Sequence, residues 1–248
     1  DAFFEKDLIT GFTSRATQVL RDSGALDVDW CRYTINRSVG TYFAWGDMHV
    51  PVHTESKPLQ ELLKTKIPAY ARGSYFAVPL LLRTDSTFRM YIHYDTATKS
   101  AVYGNIQAYI LQKLRSNPAN HLQVYFADPN DRGQNLGALI APNDENEQIG
   151  IVAKNTQEEI SAVLKEIEAY IDATNGVLGN CKSIFEYNAK HETKLKEMVI
   201  VLCDVQNCVS HNDIARLKVI WENAERYGIN LILTSEASVD QIERCYEN

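Results

Sequence analysis

Two apolar runs, each tied to a polar residue at a fixed place, constrain the fold of this chain more than any other feature. Residues 88–114 (FRMYIHYDTATKSAVYGNIQAYILQKL) place a buried strand, a short polar turn carrying Lys99 and Ser100, and a helix with Ile106, Tyr109 and Ile110 on its apolar side. That is the layout of a nucleotide-binding loop without its glycines. A second run, 198–203 (MVIVLC), ends on Asp204, where a magnesium-side carboxylate would stand. The next residue is Val205, where an acid would be wanted.

From Tyr75 onward, short apolar stretches alternate with helical patterns. Strands are predicted at 75–83, 88–94, 121–127, 148–153, 198–204 and 229–234, and helices near 100–115, 156–174, 183–190, 211–226 and 238–246. This alternation predicts an α/β fold with a mainly parallel sheet flanked by helices on both faces. The near-continuous runs MVIVLC and INLILT belong in its middle, because central parallel strands are covered on both sides. Ahead of it, residues 3–20 have the three- and four-residue spacing of an amphipathic helix. The segment 30–52 suggests a strand pair with Gly40 and Gly46 at turns or bulges, and 56–66 a short helix. The expected division is 1–70, an N-terminal helix and β-rich lead-in, and 71–248, the α/β domain. The polar loop 142–148 (PNDENEQ) is the most flexible-looking segment.

With 248 residues, 45% of them hydrophobic and 23% charged, the chain has enough apolar side chains for a large core. No apolar run approaches the roughly 20 residues of a membrane span. The start DAFFEKDLIT lacks the basic and apolar regions of an export signal, so the expected location is the cytoplasm, or its membrane face through a parent protein. A net charge of -7 argues against a surface given over wholly to nucleic acid, and leaves room for a local basic strip. Five cysteines without a C-x-x-C pair point to reduced, mostly buried thiols.

A working phosphate loop needs glycines, so that consecutive backbone N–H groups can surround the phosphates; its lysine reaches the terminal phosphates and its hydroxyl holds Mg²⁺. Aligned on Lys99 and Ser100, the glycine positions are His93 and Thr98, which carry side chains where the ligand would lie. Asp204 admits two readings, a metal-side carboxylate at the exit of a parallel strand or a strand-end aspartate capping the next turn. Val205 cannot orient a water for hydrolysis. His49 and His53 could share a strand face as metal ligands, but Pro51 and the lack of a third ligand favour solvated edge histidines. In Ser210-His211-Asn212-Asp213, adjacency prevents a hydrolase triad, and Asn212 or Asp213 is more simply a helix cap. Tyr187 is expected to pack a helix.

Taken in order, MYIHYDTATKSAVYGNIQAYIL, VYFADPN, FEYNAK, MVIVLCD and YGINLILTSEASVDQI resemble the motor domain of the FtsK/SpoIIIE family, in the HerA-FtsK superfamily of P-loop ATPases. The resemblance covers 75–245 and implies a RecA-like P-loop NTPase core, preceded by the N-terminal helix and small β-rich extension. It carries over Lys99, Ser100, Asp128 and Thr234, with Thr98 at a glycine position, as nucleotide-contacting positions, and Ser100 and Asp204 as Mg²⁺ positions. Asp204 would be the catalytic position, as the metal-side carboxylate, if the domain were active. The departures are His93 and Thr98 for glycines, Val205 for the second acid, Asn130 for the lysine of Asp-Pro-Lys, and Thr234-Ser235-Glu236-Ala237 for Thr-Gln-Arg-Pro. Neither a catalytic residue nor a cofactor is therefore expected, with ATP and Mg²⁺ bound only if the altered loop still holds them.

What the resemblance implies is a catalytically degenerate ATPase-type domain, an assembly or regulatory module of a larger DNA- or protein-translocating machine such as the tandem ATPases of type VII secretion. Its partners would be other ATPase domains of the same longer chain, a hexameric ring of copies, and DNA or a secreted protein. Two rivals are an active ATP-dependent DNA translocase and a protein-binding module on the same fold.

Overall fold

The structure is a computed structural model that describes Tyr42–Pro51, Glu61, Tyr75–Arg83 and residues 86–117, 121–139 and 151–246. The helix expected over 3–20, the strands expected before Tyr42, His53 and the loop 142–148 lie outside the described residues, as does the helix at 56–66 apart from helical Glu61. The chain forms two compact units, 1–84 and 85–248. In the first, β1 (Tyr42–Pro51) pairs antiparallel with β2 (Tyr75–Arg83), with a register shift between Ala44 and Gly46. His49 lies in β1, opposite Ala77. The strand predicted at 75–83 is thus present, but it pairs with β1 and takes no part in the parallel sheet.

The second unit holds that sheet. Its strands are β3 (Arg89–His93), β4 (Leu122–Ala127), β5 (Ile151–Lys154), β6 (Glu197–Leu202) and β7 (Ile229–Ser235), all parallel and ordered β3-β7-β6-β4-β5. The helices are α1 (Lys99–Ser116), α2 (Gln157–Leu178), α3 (Ile184–Lys190), the single turn α4 (Val205–Cys208), α5 (His211–Asn223) and α6 (Val239–Tyr246). A 3-10 segment, Gln134–Leu139, follows β4. The apolar runs became the central strands β6 and β7, as parallel pairing with cover on both faces requires. This is the expected α/β arrangement.

Alternation along the strands assigns the two faces. Ile200, Leu202, Ile229 and Leu231 enter a core with Ile160, Leu164 and Ile167 of α2, Ile184 of α3 and Ile220 of α5. Burying each such side chain contributes about 1.5–3 kcal/mol. Glu197, Val199 and Val201 face the other way, toward α1, whose Lys113 ammonium meets the Glu197 carboxylate at 2.7 Å. Lys113 is 0% exposed, so this is a buried charge pair that clamps α1 to β6. Thr156 and Glu159 form a reciprocal capping box that starts α2 where β5 ends. The three cysteines described with their side chains, Cys181, Cys203 and Cys208, are free and buried, in line with reduced thiols.

Gly228 makes the turn into β7 possible. Its φ is 69°, and a Cβ there would lie 2.0 Å from Cδ1 of Ile184, so both the left-handed backbone and the close approach of α3 demand glycine. Gly228→Ala should lower stability by roughly 2–4 kcal/mol, the sum of left-handed strain and overpacking, as read by urea unfolding. Lys113→Ala should cost about 3–5 kcal/mol, because it strands a buried carboxylate, whereas Lys113→Met combined with Glu197→Leu should cost far less. A small loss in the Lys113→Ala single variant would contradict the clamp.

Candidate functional site

Ligands of open parallel sheets gather in the crevice beyond the carboxyl ends of the strands. Here β3 leads into α1 on one face and β6 leads through α4 into α5 on the other. The ends of β3, β4, β6 and β7 bring together Tyr94, Asp128, Asp204 and Thr234, with Lys99 from the start of α1.

Asp204 sits at the centre. It is 6% exposed and has a left-handed backbone, φ 54° and ψ 67°, which aspartate tolerates better than most residues. It stands at the N-cap position of α4, but its carboxylate makes no cap bond. Tyr94 donates its hydroxyl to Asp204 Oδ1 at 2.7 Å, and Asn130 Nδ2 lies 3.4 Å from Oδ2. The capping alternative is therefore corrected: the side chain turns into the site and only its backbone serves the turn. Val205, next in the chain, is buried and apolar.

Behind Asp204 runs a chain of hydroxyls. The Asp204 N–H donates to Thr234 Oγ1 at 3.3 Å, Thr234 Oγ1 is 3.0 Å from the Tyr103 hydroxyl, and Tyr103 lies 3.4 Å from the Tyr94 hydroxyl. The rings of Tyr94 and Tyr103 meet edge to face, with centroids 5.7 Å apart. Burial pushes both phenols up, Tyr94 also through the negative charge of Asp204, so they remain neutral donors across the physiological range.

The turn between β3 and α1 closes on itself. The Thr98 N–H donates to the Asp95 carboxylate at 2.8 Å and lies 3.1 Å from the Asp95 carbonyl, to which the Lys99 N–H donates at 2.9 Å. In return the Asp95 N–H donates to Thr98 Oγ1 at 3.0 Å. Hydrogen bonds from Thr98 hold the Asp95 carboxyl below the usual range. His93, at the other glycine position, is exposed, with Nε2 3.1 Å from the Glu236 carbonyl.

Lys99 reaches sideways, its ammonium 2.7 Å from Asp131 Oδ2. Asp131 also accepts from Asn135 Nδ2 at 2.8 Å. Asn135 in turn donates its backbone N–H to Asp128 Oδ2 and its amide to Asp128 Oδ1, each at 3.1 Å. The buried Asp128 thus orders the loop after β4. Ser100 is exposed on the first turn of α1, in a polar crevice with Lys99, Gln107 and Asn135 and apart from the bonds around Asp204.

Of the positions singled out in sequence, Asp204, Thr234, Asp128 and Lys99 converge, while Thr98 serves the turn and Ser100 stands outside. Sequence reasoning missed Tyr94, Asp95, Tyr103, Asp131 and Asn135. The available signal was a tyrosine and an aspartate inside the six-residue loop window, where side chains compete with a ligand. Elsewhere, Asp213 is not a cap: it is a buried carboxylate that accepts from Ser210 and Ser161 and pairs with Arg216 at 2.7 Å. Tyr187 stacks on His191, with centroids 4.0 Å apart.

No family model and no curated protein matches the chain. Among solved structures it is similar to EssC (ATPases 2 and 3) from Geobacillus thermodenitrificans, at 14% identity and TM-score 0.52, over 69% of this chain and 32% of that one. It is also similar to the pCW3 conjugation coupling protein TcpA, in its monomer form with ATPgS, at 16% identity and TM-score 0.49, over 69% of this chain and 49% of that one. A third is Thermomonospora curvata EccC (ATPases 2 and 3) in complex with a signal sequence peptide, at 16% identity and TM-score 0.47, over 64% of this chain and 26% of that one. The chain spans about half the length of the coupling protein and about a third of the EssC chain. At these identities the likeness is one of fold, and the chain has the α/β, RecA-like fold of the FtsK/SpoIIIE-type ATPases that its sequence resembles.

Proposed function

We propose that this is a catalytically degenerate FtsK/SpoIIIE-like ATPase domain, an assembly or regulatory module of a larger machine that moves DNA or protein at the cytoplasmic side of a membrane. The observation that carries the reading is the closed turn after β3, in which the N–H groups of Thr98 and Lys99 bond to Asp95. A phosphate loop works by aiming such amides at the ligand. ATP and Mg²⁺ do not fit these residues. The Asp95 carboxylate lies at the start of α1, where a phosphate would have to sit, and Lys99 is within the field of Asp131, Asp204 and Glu236. An incoming triphosphate would meet these carboxylates and would have to break the Lys99–Asp131 pair. Val205 supplies no acid beside Asp204.

The expected partners are ATPase domains of the same longer chain and copies of this domain in a hexameric ring. Among the described residues no helix is long and apolar enough to cross a membrane. The crevice beside Lys99 and Ser100 is lined mainly by polar side chains, which gives no support to a peptide groove there.

Calorimetric titration of the chain with ATP and Mg²⁺ tests the reading. The expected result is no binding heat up to millimolar nucleotide, and none in Lys99→Ala. Micromolar binding that is lost in Lys99→Ala, or measurable ATP turnover, would overturn it in favour of an active motor.

The pH response of the same site follows from its ion pair. The bond to Asp131 raises the Lys99 pKa, and Lys99, then Asn135, hold the Asp131 carboxyl low. A depressed carboxylate contributes stability above its unfolded pKa and loses it as pH falls through the folded value. A raised lysine contributes below its unfolded pKa and loses it as pH rises through the folded value. The pair should therefore act at constant strength from about pH 5 to about pH 9. Both side chains are about a third exposed, so its worth is about 0–1 kcal/mol. Asp131→Asn should show a deficit of that size in urea unfolding at neutral pH, closing as the pH drops below about 4.

A further inference from the structure

We propose that the side chains of Tyr94, Asp95 and Asp131 are a built-in stand-in for a nucleotide, holding the carboxyl end of the sheet permanently in one closed arrangement. The proposal rests on the reading that the site takes no ATP, and adds what the site does instead.

Three demands arise wherever this fold brings a lysine, a helix start and a buried strand-end carboxylate together. The lysine needs an anion, the first amides of the helix need acceptors, and the carboxylate needs donors or a cation. In this chain each is met from within: Lys99 by Asp131, the Thr98 amide by Asp95, and Asp204 by Tyr94 and Asn130. The substitutes come from the turn after β3 (Tyr94, Asp95) and the loop after β4 (Asp131), and the bonds of Tyr94 and Asp131 also tie separate segments together. Tyr94 links the exit of β3 to the exit of β6 across β7, a sequence separation of 110 residues. Lys99 links α1 to the loop after β4, and Tyr103 links α1 to β7 through Thr234.

The Tyr94–Asp204 tie is sealed from water, whereas the Lys99–Asp131 and Asp95–Thr98 bonds are partly or fully exposed. Tyr94 is 2% exposed, and Tyr103, Thr234 and Asp128 are buried. In low dielectric such bonds are strong and expensive to leave unmade, so the strand ends have no cheap open state. The left-handed backbone of Asp204 fits this account, because a sparsely populated conformation persists where surrounding bonds over-determine it. A domain closed by its own side chains has no ligand whose arrival or loss could shift its conformation. It presents neighbouring domains with one constant surface.

Hydrogen–deuterium exchange on the full chain tests this, using wild type, Tyr94→Phe and Asp131→Ala with and without ATP and Mg²⁺. Tyr94→Phe removes one oxygen and keeps the packed ring, and Asp131→Ala alters a partly exposed loop, so neither removes core volume. The expected result is slow wild-type exchange over 94–104, 128–135 and 203–208, unchanged by nucleotide. It should rise about tenfold or more in Tyr94→Phe and by up to about fivefold in Asp131→Ala at the segments each bond joins, while β6 stays protected. If both variants exchange as wild type does and ATP has no effect, the stand-in is overturned and the inert-domain reading survives. If ATP and Mg²⁺ slow wild-type exchange at these segments, nucleotide closes the site and both readings fall.

Discussion

A buried carboxylate governs the architecture of this domain. Asp204 leaves the central strand β6 and turns its side chain inward at the carboxyl edge of the sheet, where it is nearly inaccessible to water. An ionised group there is tolerated only with donors or an opposite charge in direct contact. The Tyr94 hydroxyl and the Asn130 amide supply the donors. That requirement fixes how β3 ends, how the loop after β4 folds back, and why an aromatic ring lies where a flexible phosphate loop would need open space.

The rest of the unit can be understood as the scaffold that holds those contacts. The all-parallel order β3-β7-β6-β4-β5 sets β7 between the strands that carry Tyr94 and Asp204, and gives Thr234 the central place from which its hydroxyl reaches both the Asp204 amide and Tyr103. At the opposite end of α1, the buried Lys113–Glu197 pair sets that helix against β6. Two ionic or polar ties at the two ends of one helix, with an apolar face between them, leave α1 little freedom to slide or tilt. Rigidity of this kind is what the proposed role as a constant surface would require.

Much of the sheet was legible in the sequence, because unbroken apolar runs such as 198–203 and 229–234 have few alternatives to a covered parallel strand. The partner of β2 was not legible, since an apolar strand does not disclose which sheet it joins, and only the pairing with β1 settles it. At the site, Lys99, Asp128, Asp204 and Thr234 could be picked out from motif position. What they bond to could not, because the pairs Tyr94–Asp204 and Lys99–Asp131 are separated by 110 and 32 residues and depend on the packed sheet. The capping alternative for Asp204 failed because its carboxylate bonds Tyr94 and Asn130 and makes no cap bond to the following turn.

The central claim is that this site is filled by its own side chains. A crystal structure of the chain grown with millimolar ATP and Mg²⁺ tests it most directly. The account predicts Tyr94 on Asp204, Lys99 on Asp131 and the Thr98 amide on Asp95, with no phosphate at the start of α1. Phosphate oxygens on the Thr98 and Lys99 amides, with Tyr94 swung clear of Asp204, would contradict it.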